Sequence, residues 1–222
     1  MNRLPSLLRQ HLAALRMLLA FTVLCGIVYP VVMWGINQAA FKNQANGSPV
    51  SYNGKVVGSS LLCQEFVDAK GNPLPQDFQP RPSNADSSSV TNDYGCDPEY
   101  SGAANLGPNN QTLVTDVNQL KSQIAAFDHV PESEIPPDAV TSSGSGLDPD
   151  ISPANAAIQV DRVAAARHLS VATVQKLVSE NTSGRAIGFL GEPAVNVLTL
   201  NLALDKLPGQ AQYAGGGAGT NS

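Results

Sequence analysis

One unbroken apolar run stands against a longer remainder in which apolar residues recur at short intervals. The run is Met17 to Ile36, MLLAFTVLCGIVYPVVMWGI, twenty positions without a charge. At about 1.5 Å per helical residue it reaches about 30 Å, the thickness of a bilayer's hydrocarbon core. Arg3, Arg9 and Arg16 precede it, and no basic residue follows until Lys42. The positive-inside bias therefore predicts a cytoplasmic N-terminus, residues 1–16, and export of everything after Asn37. A cleaved signal needs a shorter apolar region and a small-x-small site, whereas Asn37 or Gln38 holds the −3 position of the candidate sites. Trp34, at the far end, sits where an interfacial aromatic anchors a span. Membrane helices tolerate a proline such as Pro30 when neighbouring groups satisfy the freed carbonyl. Thr22 and Gly26 form a small-xxx-small pair suited to contact with another helix.

Beyond the span, residues 37–49 read as a polar connector. A hairpin over Tyr52 to Leu62 follows, with Asn53-Gly54 as its turn. From Gln64 to Asn110 the chain turns to Ser, Asn, Asp, Gly and Pro with sparse apolar residues. A stretch this long is expected to be functional or disordered. Helical spacing begins at Leu113 and continues through Val117, Leu120 and Ile124, with Thr112 as the expected N-cap. Ser152-Pro153 opens a second helix to about His168, a cap followed by proline at the first helical position. Ser170 caps a third, with Leu169 placed as a staple to Val174. Val195 to Leu204 reads as a buried strand running into a short helix. The glycine-rich residues 208–222 are expected to be disordered. The fold class is α+β: one N-terminal transmembrane helix, then one mixed domain over residues 50–207.

Charge sharpens the picture. All eighteen acidic residues and ten of the thirteen basic ones follow the span, giving that part a net charge of −8. Nucleic-acid binding needs a basic footprint and is excluded as a partner class. Cys25 lies in the span as a small apolar residue. Cys63 and Cys96 lie outside it, where an oxidising compartment permits a bridge closing about thirty residues. Spacing alone leaves that pairing open.

The search for chemistry yields little. His11, His129 and His168 lie in three separate segments, and no Cys/His spacing fits zinc. The Gly-x-Ser-x-Gly elbow and the Walker motif are both absent. Asp148-Pro149-Asp150 lacks the further ligands of a calcium loop. Arg81, between Pro80 and Pro82, is pre-organised for a bidentate carboxylate contact, within the chain or on a partner. No catalytic, cofactor or metal residues emerge.

The ordered runs nevertheless resemble one family. They are Gln44 to Ser48; Gly58-Ser59 with Leu61, Gln64 and Phe66; Phe78 with Arg81-Pro82-Ser83; and Ser101-Gly102 with Asn105-Leu106. They continue as Val140-Thr141 with Ser145 to Asp148 and Ile151; Gln159 with Arg162 to Ala164 and Arg167; and Gly191, Pro193, Val195 to Val197 and Leu200 to Asp205. In this order, over nearly the whole chain, they resemble the KdpC family, the C subunits of bacterial potassium-transporting P-type ATPases. The resemblance implies a non-catalytic subunit of an inner-membrane complex. Its expected partners are a potassium-channel-like subunit, a P-type ATPase subunit and a small single-span subunit. ATP, magnesium and potassium then belong to the complex, with no cofactor in this chain, although the family is described as raising the pump subunit's ATP affinity. Arg81, Pro82, Ser83, Asn105, Asp148, Arg162, Asn196 and Asn201 become candidates for assembly, and Thr22, Gly26, Pro30 and Trp34 for helix packing. The competing reading is an independent anchored periplasmic binding module.

Overall fold

The computed structural model describes residues 5–85 and 95–210. The chain divides into two compact units at Ser48/Pro49. The first is one helix of 35 residues, Ser6–Ala40, long and apolar enough to cross a membrane. It consists of α1 (Ser6–Val23), a π-turn (Leu24–Val28) and α2 (Tyr29–Ala40). The π-turn lies directly before Pro30, whose ring cannot donate to the helical ladder, and it absorbs the resulting mismatch. The helix overruns the expected connector and ends at Phe41. A helical turn, α3 (Lys42–Ala45), follows. The amides of Gln38 and Asn46 exchange hydrogen bonds of 3.2 and 3.3 Å, which clasps α3 to the end of α2.

The second unit opens with the expected hairpin, β1 (Pro49–Tyr52) paired antiparallel with β2 (Lys55–Ser59). Asn53 and Gly54 take φ of 49° and 79°, the left-handed pair that a two-residue turn of this twist requires. A second sheet has the order β3-β5-β4, all antiparallel. Its strands are short: β3 (Asp150–Ile151), β4 (Thr182–Ser183) and β5 (Ala194–Asn196). Two of these strands lack the length for an alternating pattern, and Thr182–Ser183 reads in the sequence only as a helix stop. The chain then turns at once into α7 (Val197–Asp205), so the strand expected from Val195 is shorter than its apolar run implies.

The principal core lies among α5 (Pro153–Ala166), α6 (Val171–Glu180) and α7. Val160, Val163, Val174, Leu198, Leu200 and Leu204 are buried there with Phe66 and Phe78. A smaller cluster lies under α4 (Gln111–Asp128), from Leu120 and Ile124 to Ile135 and Val140. Ser152 and Ser170 cap α5 and α6 as expected, accepting from the N–H groups of Asn155 and Thr173. Asn110, not Thr112, caps α4; its side chain accepts from the Thr112 N–H at 2.8 Å. Asn carries an acceptor at the same reach and ranks ahead of Thr at this position.

Candidate functional site

The long irregular stretch after Gln64 is ordered by side chains far away in sequence. Asn201, fully buried in α7, accepts the Phe78 N–H at 2.8 Å and donates to the Phe78 carbonyl at 3.0 Å. It thereby acts as a one-residue strand partner. Arg162 in α5 donates to the Asp128 carboxylate at 2.6 Å and to the carbonyls of Pro75 and Asp77 at 2.7 and 2.9 Å. Its guanidinium also lies 4.3 Å from the centre of the Phe127 ring. Arg167 joins Asp77 and Asp205 at 2.5 and 2.7 Å and donates to the Gln76 carbonyl. Gln159 accepts the Gln79 N–H and donates to its carbonyl. Burial pushes the Asp77 carboxyl above its ordinary range; Arg167 pulls against this, and the Asp205 charge adds to it.

Above this frame three loops meet. Arg81 donates to Asp148 at 2.9 Å and twice to the Thr141 carbonyl, at 3.1 and 3.3 Å. The bidentate carboxylate geometry open to Arg81 is therefore replaced by one carboxylate and one carbonyl, all inside the chain. Ser83 Oγ donates to the Gly146 carbonyl, and the Gly102 N–H donates to Ser145 at 2.9 Å. Gly146 sits at φ 72°, and a Cβ there would come within 2.5 Å of the Gly102 carbonyl, so three backbones cross at this point. A disulfide between Cys63 and Cys96, with Cα atoms 6.0 Å apart, fastens the edge of the cluster. The loops frame an open groove of about 670 Å³, whose lining includes Pro82, Ser83, Asn105, Thr112, Asp116 and Ser142.

Each residue singled out from the sequence now has a place. Pro82, Ser83 and Asn105 line the groove, and Asp148 is paired with Arg81, which also holds the carbonyl of the groove-lining Thr141. Asn196 caps α7 and donates to the Ser60 carbonyl and to Asp150. Arg162 and Asn201 are buried, 6 % and 0 % exposed, so they hold the domain from within rather than meeting a partner directly. Thr22, Gly26, Pro30 and Trp34 lie along the exposed first unit. His129 and His168 end α4 and α5 at φ 58° and 54°, where glycine is usual. Neither faces the groove. Among the described residues no group of three or more His, Cys, Asp or Glu side chains could hold a metal. Sequence reasoning passed over Asp77 and Asp128, the carboxylates that meet Arg167 and Arg162; for Asp128, an acidic residue at the end of an apolar-periodic segment is the signal that could have marked it.

Fold and site define a mixed α/β module carried on a helix able to cross a membrane. Comparison with known proteins is more specific. The family model described as "K+-transporting ATPase, c chain" matches residues 11–206, and the chain belongs to this KdpC family. It is 46% identical over 218 residues to the potassium-transporting ATPase KdpC subunit of Streptomyces avermitilis, covering 93% of this chain and 97% of that one. Against the KdpC subunit of Mycobacterium tuberculosis it is 46% identical over 200 residues, 90% of this chain and 99% of the other. Against that of Kineococcus radiotolerans it is 48% identical over 201 residues, covering 90% and 95%. An accessory role in potassium transport follows from that membership.

Proposed function

We propose that this chain is the non-catalytic subunit of an ATP-driven potassium importer, and that it holds the complex together. In this reading residues 17–36 cross the inner membrane with the N-terminus in the cytoplasm, and the α/β domain lies in the periplasm. There it covers the ion entrance of a potassium-channel-like subunit, alongside a P-type ATPase subunit and a small single-span subunit. The observation that carries the reading is the family match over residues 11–206, which takes in both the apolar helix and the domain. The domain's chemistry supports it: the buried charged residues Arg162, Arg167, Asp77, Asp128 and Asp205 are paired with one another inside the chain, where they hold its own segments together. Nucleotide lies across the membrane from a periplasmic domain, so any gain in the pump's ATP affinity is relayed through partner subunits.

Co-expression with the ATPase subunits and purification in mild detergent test this. The expected result is recovery of all subunits with this chain, and loss of high-affinity potassium uptake when it is deleted. Recovery of this chain alone refutes the reading. The groove beside Ser83 and Asn105 favours one alternative, an independent anchored binding module; uptake unchanged by deletion would support that instead. Protease added to intact spheroplasts should remove the domain beyond Asn37, and full protection would reverse the topology.

A further inference from the structure

The π-turn before Pro30 leaves a gap in the helix's own hydrogen bonding. The Tyr29 N–H, which an uninterrupted α-helix would give to Cys25, reaches back instead to the Leu24 carbonyl. The next donor along a π-pattern would be residue 30, and proline has none. The Cys25 carbonyl therefore receives no N–H from either position. The Thr22 hydroxyl offers no remedy, because threonine in a helix bonds back toward the preceding turn and the Cys25 carbonyl points toward the following one.

The depth of this carbonyl decides what it needs. Cys25 lies about 12 Å along the helix from Met17, close to the middle of a core about 30 Å thick. Neither lipid tails nor bulk water supplies a donor there, and an unsatisfied backbone group in hydrocarbon is costly. Next to it Gly26 has open space where a Cβ would stand, with nothing within 4 Å, so another side chain can approach the backbone. The glycine only permits the approach; the carbonyl is the reason for it.

We infer that the Cys25 carbonyl is a docking point for a side-chain hydroxyl or amide donor on a transmembrane helix of a partner subunit. This rests on the reading of the chain as a subunit and specifies which part of the span makes contact. The contact face includes Phe21 and Cys25, one turn apart, and leaves Val23 on the far side.

The test uses the full chain co-expressed with the ATPase subunits. Pro30→Ala and Pro30→Leu restore a backbone N–H at residue 30, so the helix can satisfy itself. Both variants should insert in the membrane and keep a protease-resistant domain, yet recover about three- to tenfold less of the partner subunits. A photo-crosslinking benzophenone at position 21 should capture a membrane subunit, and one at position 23 should not. Recovery with Pro30→Ala equal to wild type overturns the inference. So does position 21 capturing a second copy of this chain, or capturing no more than position 23. Failure of the wild-type chain to recover any ATPase subunit is a different result, since it removes the subunit reading itself.

Discussion

Replacing Asn201 with alanine isolates the most economical contact in the domain. The side chain is fully buried and satisfies both backbone groups of Phe78, whose own ring is fully buried. Alanine leaves a buried N–H and a buried carbonyl unpaired, each costing about 1–3 kcal/mol, so the total is about 4 kcal/mol. A domain of this size has about 5–15 kcal/mol in all, and 1 kcal/mol moves its melting temperature by about 2–4 °C. The expected loss is therefore about 8–16 °C. Thermal unfolding of the detergent-purified chain, followed by far-UV circular dichroism, measures that shift, and urea unfolding measures the free energy. Asn201→Asp refines the argument, since a carboxylate still accepts from the N–H but cannot donate to the carbonyl 3.0 Å away. Burial raises the folded-state pKa of this new carboxyl, so the folded chain takes up a proton before the unfolded one does. The aspartate variant should regain stability as pH falls through that raised pKa toward about 3.9. A loss below about 1 kcal/mol for alanine, or an aspartate variant indifferent to pH, would refute the reasoning.

Other expectations test separate parts of the frame. Reducing Cys63–Cys96, which spans 33 residues, should cost about 3–4 kcal/mol by chain entropy and lower the melting temperature measured with and without reductant. Gly146→Ala forces a side chain into the loop crossing and should destabilise by about 2 kcal/mol or more, while Gly144→Ala, with open space around it, should melt close to wild type. Arg81→Ala breaks a partly buried ion pair and two bonds to Thr141; it should cost about 1–2 kcal/mol and reduce subunit recovery, and wild-type values for both would remove it from assembly. Asp77 titrates above its unfolded value of 3.8. Its contribution to stability should thus fall as pH rises from 3.8 to the folded pKa and stay level above it, a slope that Asp77→Asn should flatten in unfolding curves taken across that range.

Local signals made part of this structure legible. Ser152-Pro153, Ser170 and Asn53-Gly54 mark their elements because a cap or turn is decided within three or four residues. Asn110 was missed because Thr112 offers the same chemistry two positions later. The stretch from Gln64 onward was not legible, since the side chains of Gln159, Arg162 and Asn201 that pin it around residues 75–79 lie 80 to 123 positions away. Periodicity carries no trace of such partners. The groove has the same origin: Ser83, Asn105 and Ser142 are neighbours only because Gly102 and Gly146 let their backbones cross. The span could be read from length and charge, while the π-turn before Pro30 leaves no mark in the apolar pattern.

The pinning of residues 74–79 also bears on how such a domain can diverge. Arg162, Arg167, Gln159 and Asn201 grip this segment mainly by its main chain, which every sequence possesses. The shape of the loop is therefore encoded largely in α5 and its C-terminal end and in α7; of its own side chains Asp77, Phe78 and Gln79 are buried, and Leu74, Pro75 and Gln76 are the ones left free to vary. Relatives can redraft the exposed letters of that segment, and with them the surface shown to a partner, while Gln159, Arg162, Arg167 and Asn201 keep its path unchanged.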